Sequence, residues 1–342
     1  MGDKLPYGTK IYDTYSHWSN EKQFKAEIKM YMDMGIDIFD YSNEPDYPVR
    51  WIKEVVGDKV PVVADLHDLD SIRRGIIPLE ERKMFNYADG LIYVSLPIQK
   101  ITNELQKVTV PNTVLYSYCN EGIIEYKEED IPNRKGIIYE GGANSPDDTA
   151  LNNAFQYRSL YNIIKRLVSM GNETYMFCGN FDAFQTYQHT GAILFPPTDY
   201  KEMMEKLIQF KYGILIFNNP EKTENQVNYT LTNKEEEYLQ AGLPSLACWC
   251  DESMKHVKKH GTGFTFEHID EVGDMSQLES QYLTIMDNIK IKRKELVMEN
   301  FIWKIENLYA KLLNVDRKGI PSNIKAINLF EYGEENTRDM LV

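Results

Sequence analysis

Short apolar runs and stretches with helical spacing alternate along nearly the whole chain. Residues 10–15 (KIYDTY) read as a strand and 20–35 as a helix closed by Gly35. Residues 37–42 (DIFDYS) and 60–67 (VPVVADLH) read as strands on either side of a helical stretch at 49–56. Residues 90–95 (GLIYVS), a helix across 97–108 and a strand at 112–118 (NTVLYSY) continue the series. Such alternation predicts a parallel sheet with helices on its faces. A polar, acidic stretch at 125–135 (EYKEEDIPNRK), with a proline and few apolar residues, then reads as a linker.

Beyond it the alternation restarts. Residues 136–139 (GIIY), 174–178, 192–195, 213–217 and 244–248 are predicted strands. A helix is predicted over 157–170, where Leu160, Ile163, Ile164, Leu167 and Val168 fall at helical spacing. Others are predicted at 200–210 and at 234–241, the latter closed by Gly242, with long helices from 277 to 313. The expected α/β architecture is therefore two Rossmann-like domains, 1–130 and 131–314, with the tail 315–342 packing back on the first. Parallel sheets facing across a cleft put the default binding site at the carboxyl ends of their strands.

Composition narrows the function classes. A chain of 342 residues with a formal charge of −14 is a poor general nucleic-acid binder, since phosphate contact needs clustered Lys and Arg. Cys119, Cys178, Cys248 and Cys250 match neither a zinc module nor a small disulfide scaffold, so a reduced, cytoplasmic protein is expected. No apolar run approaches the roughly 20 residues that span a bilayer. Peripheral contact with the inner face of a membrane stays open.

The most informative segment is 232–247, TNKEEEYLQAGLPSLA. Thr232 or Asn233 can cap a helix starting at Lys234, whose free N–H groups and partial positive charge suit a diphosphate. Lys234 in a first turn disfavours the helix itself, and an anionic ligand would explain it. Glu237, one turn on, can accept two hydroxyls of a ribose. The plain alternative is an amphipathic helix with its glutamates in solvent. The string K-x-x-E-Y-L-x-A-G-L-P resembles the nucleotide-sugar motif of GT-B glycosyltransferases, especially the large retaining family numbered four. The resemblance implies that Glu237 binds the donor ribose and that Lys234 faces the diphosphate.

Other segments resemble landmarks of that family in the same order. Residues 135–144 (KGIIYEGGAN) resemble the first strand and glycine loop of its C-terminal domain, where glycines let backbone approach a ligand. Residues 175–180 (YMFCGN), 195–202 (FPPTDYKE) and 88–95 (ADGLIYVS) resemble the strand before the base pocket, the base-contacting segment and an N-terminal-domain strand ending in Ser. The implied donor site comprises Gly141, Gly142, Arg158, Gly179, Asn180, Thr198, Tyr229, Thr230, Leu231, Thr232, Asn233, Lys234 and Glu237. His67 closes a buried strand in PVVADLHDLDSIR, where the family has a histidine on the transferred sugar; His67 and Lys234 are the candidate catalytic residues. A structural network of His67 with Asp65 or Asp68 is the bland alternative.

Three features depart from the pattern. The family's acidic residue seven or eight positions before the glutamate would fall on Thr230 or Tyr229, neither acidic. No basic residue follows the glycine loop before Arg158, so Arg158 and Lys234 are expected to hold the diphosphate between them. The first domain is short, with no clear glycine loop beyond Tyr7-Gly8. Asp68-Leu69-Asp70 also spells the D-x-D metal motif of GT-A enzymes, but that reading leaves 234–244 unexplained.

The resemblance implies a glycosyltransferase moving a sugar from a UDP- or GDP-sugar to an acceptor hydroxyl, with retention and with no metal or other cofactor. The acceptor is a glycan, lipid carrier, protein or small molecule, and the chain a monomer or homodimer. A sugar-nucleotide epimerase of the same fold and a non-catalytic partner subunit are the alternatives.

Overall fold

A computed structural model describes residues 20–42, 44–144, 157–219, 226–273 and 275–315. The predicted strand at 10–15, the Tyr7-Gly8 loop and the tail beyond 315 lie outside these residues.

Four strands form the first sheet: β1 (Phe39–Ser42), β2 (Val62–Leu66), β3 (Gly90–Tyr93) and β4 (Asn112–Val114), parallel and in the order β1-β2-β3-β4. Their inward positions are nearly all apolar, and β3 is buried throughout, as expected of a parallel sheet covered on both faces. The helix Glu21–Asp33 starts where the Asn20 side chain accepts from the Gln23 N–H, 3.2 Å away.

The second sheet holds β5 (Lys135–Tyr139), β6 (Thr174–Phe177), β7 (Ile193–Phe195), β8 (Phe210–Ile216), β9 (Ser245–Cys248) and β10 (Gly263–Phe266). Its order is β10-β9-β8-β5-β6-β7, all parallel. This is the doubly wound Rossmann order, in which the chain reverses direction across the sheet between β5 and β8. β10 and the helix Asp251–His260 were not anticipated from the sequence. The acidic stretch between the two sheets holds a 3-10 turn, Glu128–Asn133.

The chain then returns to the first sheet. The helix Trp303–Leu313, which the sequence groups with the second unit, packs on β3 and β4. Gly90 makes room for it, since a Cβ there would lie 2.8 Å from a methyl of Leu312. Tyr309 on this helix donates a hydrogen bond to Asp40 of β1. Among the described residues no helix is long and apolar enough to cross a membrane.

The second sheet is locked at its switch point by Tyr238, which is fully buried. The β5–β8 pairing ends at Ile138 and Gly213. There the Tyr238 hydroxyl accepts from the Glu140 N–H at 3.1 Å and lies 3.4 and 3.3 Å from the carbonyls of Ile138 and Ile214. The ring sits directly on Gly213, where a Cβ would fall 2.4 Å from it. Replacing Tyr238 with Phe strands a buried N–H and should cost about 1–3 kcal/mol. Gly213→Ala, which forces the ring off the strand, should cost about as much or more. Denaturant unfolding of both variants measures this, and wild-type stability in either would contradict the arrangement described.

Candidate active site

The helix Asn233–Ala241 carries the site. Its approach to the sheet is set at both ends. At the C-terminus Gly242 adopts φ +70°, and a Cβ there would strike the Tyr126 ring at 2.4 Å. Buried Arg134 donates to the carbonyls of Gly242 (2.5 Å) and Ala241 (3.3 Å), compensating carbonyls that the helix leaves unpaired. At the N-terminus Thr232 is the cap residue by position, but its side chain makes no capping bond, and its Oγ1 is buried with no hydrogen-bond partner.

Residues 235–241 are all buried, so the glutamate run faces protein and not solvent. Glu235 pairs with His256 Nδ1 at 2.5 Å. Burial raises the Glu235 carboxyl well above its usual range and depresses the His256 imidazole to about 3, so the imidazole is uncharged at neutral pH. Glu237 lies beside the Glu140 carboxyl and the Tyr200 hydroxyl.

The predicted glycines and cations converge. Gly141 follows β5 with φ +115°, and Lys234 crosses over it: a Cβ at 141 would sit 2.7 Å from Lys234 Cε and 2.9 Å from Nζ. Arg158 covers Gly142, its Nη1 being 3.2 Å from a Cβ built there. Gly179, after β6, packs on the same loop, 3.5 Å from the Gly141 carbonyl by the same measure. Lys234 Nζ also lies 5.4 Å from the ring centroids of Tyr139 and Phe217. Two cations, three glycines and a helix N-terminus thus meet at the carboxyl end of β5, beside the switch point, an arrangement suited to a multiply charged anion.

Other predicted residues have local duties. Asn180 caps the helix Phe181–Tyr187, accepting from the Ala183 N–H at 2.7 Å. Thr198 donates to Glu202 at 2.5 Å, next to the Asp199 cap of the helix Tyr200–Leu207. In the run entering the helix Asn233–Ala241, the Tyr229 carbonyl accepts from Ser95 Oγ of the other half at 2.5 Å. Thr230 Oγ1 bonds the Leu231 carbonyl at 3.3 Å, Leu231 is buried, and Asn233 is exposed.

His67 follows β2, with Nε2 3.4 Å from Asp65 Oδ2, which in turn accepts from Ser42 Oγ at 3.4 Å. The histidine therefore has the structural partner the sequence allowed for, and more than a third of its side chain is exposed. Gln226, from the second half, holds its backbone: Gln226 Nε2 donates to the His67 carbonyl and to Asp68 Oδ1, both at 2.6 Å, and Oε1 accepts from the Leu69 N–H at 3.3 Å. The D-x-D aspartates are engaged elsewhere, Asp68 by Gln226 and Asp70 by Arg73 and Arg74. Among the described residues no cluster of three or more His, Cys, Asp or Glu could hold a metal ion.

The sequence did not single out Gln226, Glu140, Tyr200 or Tyr238. Glu140 and Tyr200 lie inside the quoted segments 135–144 and 195–202, so their neighbourhood was legible. Gln226 had no local signal, because its partners are more than 150 residues away.

No protein-family model matches the chain, and no curated protein does. Solved structures do. Sucrose-phosphate synthase from Thermosynechococcus elongatus superposes with a TM-score of 0.66 at 11% identity, over 92% of this chain and 82% of that one. HepE from Anabaena, in complex with UDP-glucose, gives 0.59 at 11% identity, over 85% and 81%. A glycosyltransferase from Rickettsia africae gives 0.59 at 11%, over 90% and 84%. The chain has the GT-B fold of such glycosyltransferases, two parallel-sheet α/β domains.

Burial opposes protonation of His67, but the hydrogen bond to Asp65 and the charges of Asp65, Asp68 and Asp40 outweigh it, so its pKa is raised above 6.5. A raised histidine stabilises the fold below its unfolded pKa, and that contribution fades as pH rises through the folded value. Asp65→Asn should therefore lower the His67 midpoint in an NMR titration and destabilise the protein more at acidic than at alkaline pH. An unchanged midpoint would mean that Asp65 does not govern this imidazole.

Proposed function

We propose that the chain is a glycosyltransferase that takes a sugar from a nucleoside-diphosphate sugar and passes it to an acceptor hydroxyl. The observation that carries this reading is Lys234 laid across Gly141, with Arg158 on Gly142, at the start of a buried helix. The diphosphate binds the helix N-terminus between these cations, and Glu237 accepts the ribose hydroxyls one turn further on. Thr232 Oγ1 and the run 229–233 line the approach. Gly179, Asn180 and Thr198 belong to the base and sugar side of the same pocket. HepE, which shares the fold, is described with UDP-glucose bound, so UDP- and GDP-sugars are the first donors to test.

Catalysis on this reading is electrostatic. As the glycosidic bond breaks, negative charge grows on the departing diphosphate, and Lys234, Arg158 and the helix dipole stabilise it without a metal. The acceptor hydroxyl attacks from the same face, giving retention, and the leaving phosphate helps take its proton. His67, held toward the second half by Gln226, contacts the transferred sugar. The acceptor lies on the first-domain side.

A thermal-shift screen of nucleotide sugars against the full chain tests the donor site, because a ligand of the native state raises the melting temperature. Lys234→Ala and Arg158→Ala should each weaken donor binding by about tenfold to a hundredfold, the scale of one charge-assisted hydrogen bond. His67→Ala should lower kcat about a hundredfold and leave donor Kd nearly unchanged. No shift with any nucleotide sugar, or unchanged binding in both cation variants, would remove the proposal. Binding without transfer would make the chain a nucleotide-sugar-binding partner subunit.

A further inference from the structure

Glu140 is the residue after β5, at the point where the pairing to β8 has ended, and only 5% of it is exposed. Its carboxyl lies within hydrogen-bonding reach of the Glu237 carboxyl. Its Oε1 is buried with no hydrogen-bond partner. Two carboxylates in contact at such depth do not both ionise, and an orphaned charged oxygen there costs more than the proton that neutralises it. Burial first, then the charge of Glu237, hold the Glu140 carboxyl well above its usual range, and Lys234 only partly offsets them.

We propose that Glu140 is a positioning residue for the donor: it donates a shared proton to Glu237, holding that carboxylate in place to accept the ribose hydroxyls. This rests on the donor-site reading above and adds a residue that the resemblance did not supply. The shared proton keeps the pair at one negative charge beside a bound diphosphate. Losing it would put two carboxylates against the anionic donor, so binding weakens as pH rises.

The groups facing Glu140 leave it the titrating partner of Glu237. From the helix Asn233–Ala241 these are Lys234, Glu237 and Tyr238, and from β5 it is Tyr139. From the segment after β4 comes Cys119, whose thiol burial and nearby carboxylates push up to about 12. Tyr200, beside Glu237, has its hydroxyl 3.9 Å from the Cys119 sulfur, and burial raises its pKa as it does those of Tyr139 and Tyr238. The cysteine and the three tyrosines thus stay protonated near neutral pH.

Calorimetric titration of the full chain with UDP-glucose, and with GDP-glucose in parallel, between about pH 6 and 8.5 tests the proposal; one linked proton changes Kd by up to about tenfold per pH unit. Wild-type Kd should rise with pH. Glu140→Gln, whose amide donates at every pH, should bind tightly with that slope removed. Glu140→Ala should bind about tenfold more weakly at the acidic end. A Glu140→Gln protein that keeps the wild-type slope, a flat wild-type profile, or a Glu140→Ala protein that binds like Glu140→Gln would overturn the role of Glu140. In each of these cases binding that is still lost in Lys234→Ala leaves the donor site standing. Failure of both sugars to bind the wild type overturns the donor site and this inference together.

Discussion

The seat of Tyr238 on Gly213 is the contact on which the second domain depends. A doubly wound sheet must open between its first and fourth strands, and backbone groups at that opening lose their ladder partners. Here one buried hydroxyl serves them, bonding Glu140 N–H and approaching two carbonyls. The ring can do so only because residue 213 has no side chain. The helix carrying Tyr238 is thereby fixed against the carboxyl end of β5, and its first turn lies beside the glycine loop.

That placement sets the electrostatics. A helix beginning N-K-E-E-E would ordinarily turn its acids to water, yet Glu235, Glu236 and Glu237 are buried. Their charge is suppressed by burial at Glu235 and Glu236, and Glu235 finds an uncharged His256. The cost of so much buried acid is offset where protons replace charges, and Lys234 and Arg158 stand over the glycines. An anion at the helix start meets positive groups, although the chain as a whole carries −14.

The two halves are joined at the edge where the candidate site residues stand. Gln226 holds the backbone after β2, Ser95 bonds the Tyr229 carbonyl, and the Tyr118 ring stacks on Phe301 at 4.3 Å where the chain crosses back. The reach of His67 is therefore decided by residues of both domains. Tyr309 adds a third element by donating to Asp40, whose carboxyl burial lifts to about 6.

Much of this was legible in the residue order because it is local. Strand-helix alternation, the closing glycines at 35 and 242, and the K-x-x-E-Y-L-x-A-G-L-P string depend on neighbours within a turn or two, and among the described residues the helices and strands they predict are present. The missed elements β10 and the helix Asp251–His260 both pack beside β9. Thr232 stands at an expected cap position, but its hydroxyl is not spent on the helix.

The sequence by itself determined the fold class and the presence of glycines and cations suited to an anion, since each follows from short-range pattern and residue chemistry. Only the tertiary structure decided that Lys234 lies over Gly141, that Glu140 meets Glu237 and that Gln226 grips the strand end at His67. These pairs are separated by about ninety residues or more, and no local preference encodes which distant carboxylate, glycine or amide will share a buried site. Packing decides it, because burial makes each polar group depend on the partner that the fold brings to it.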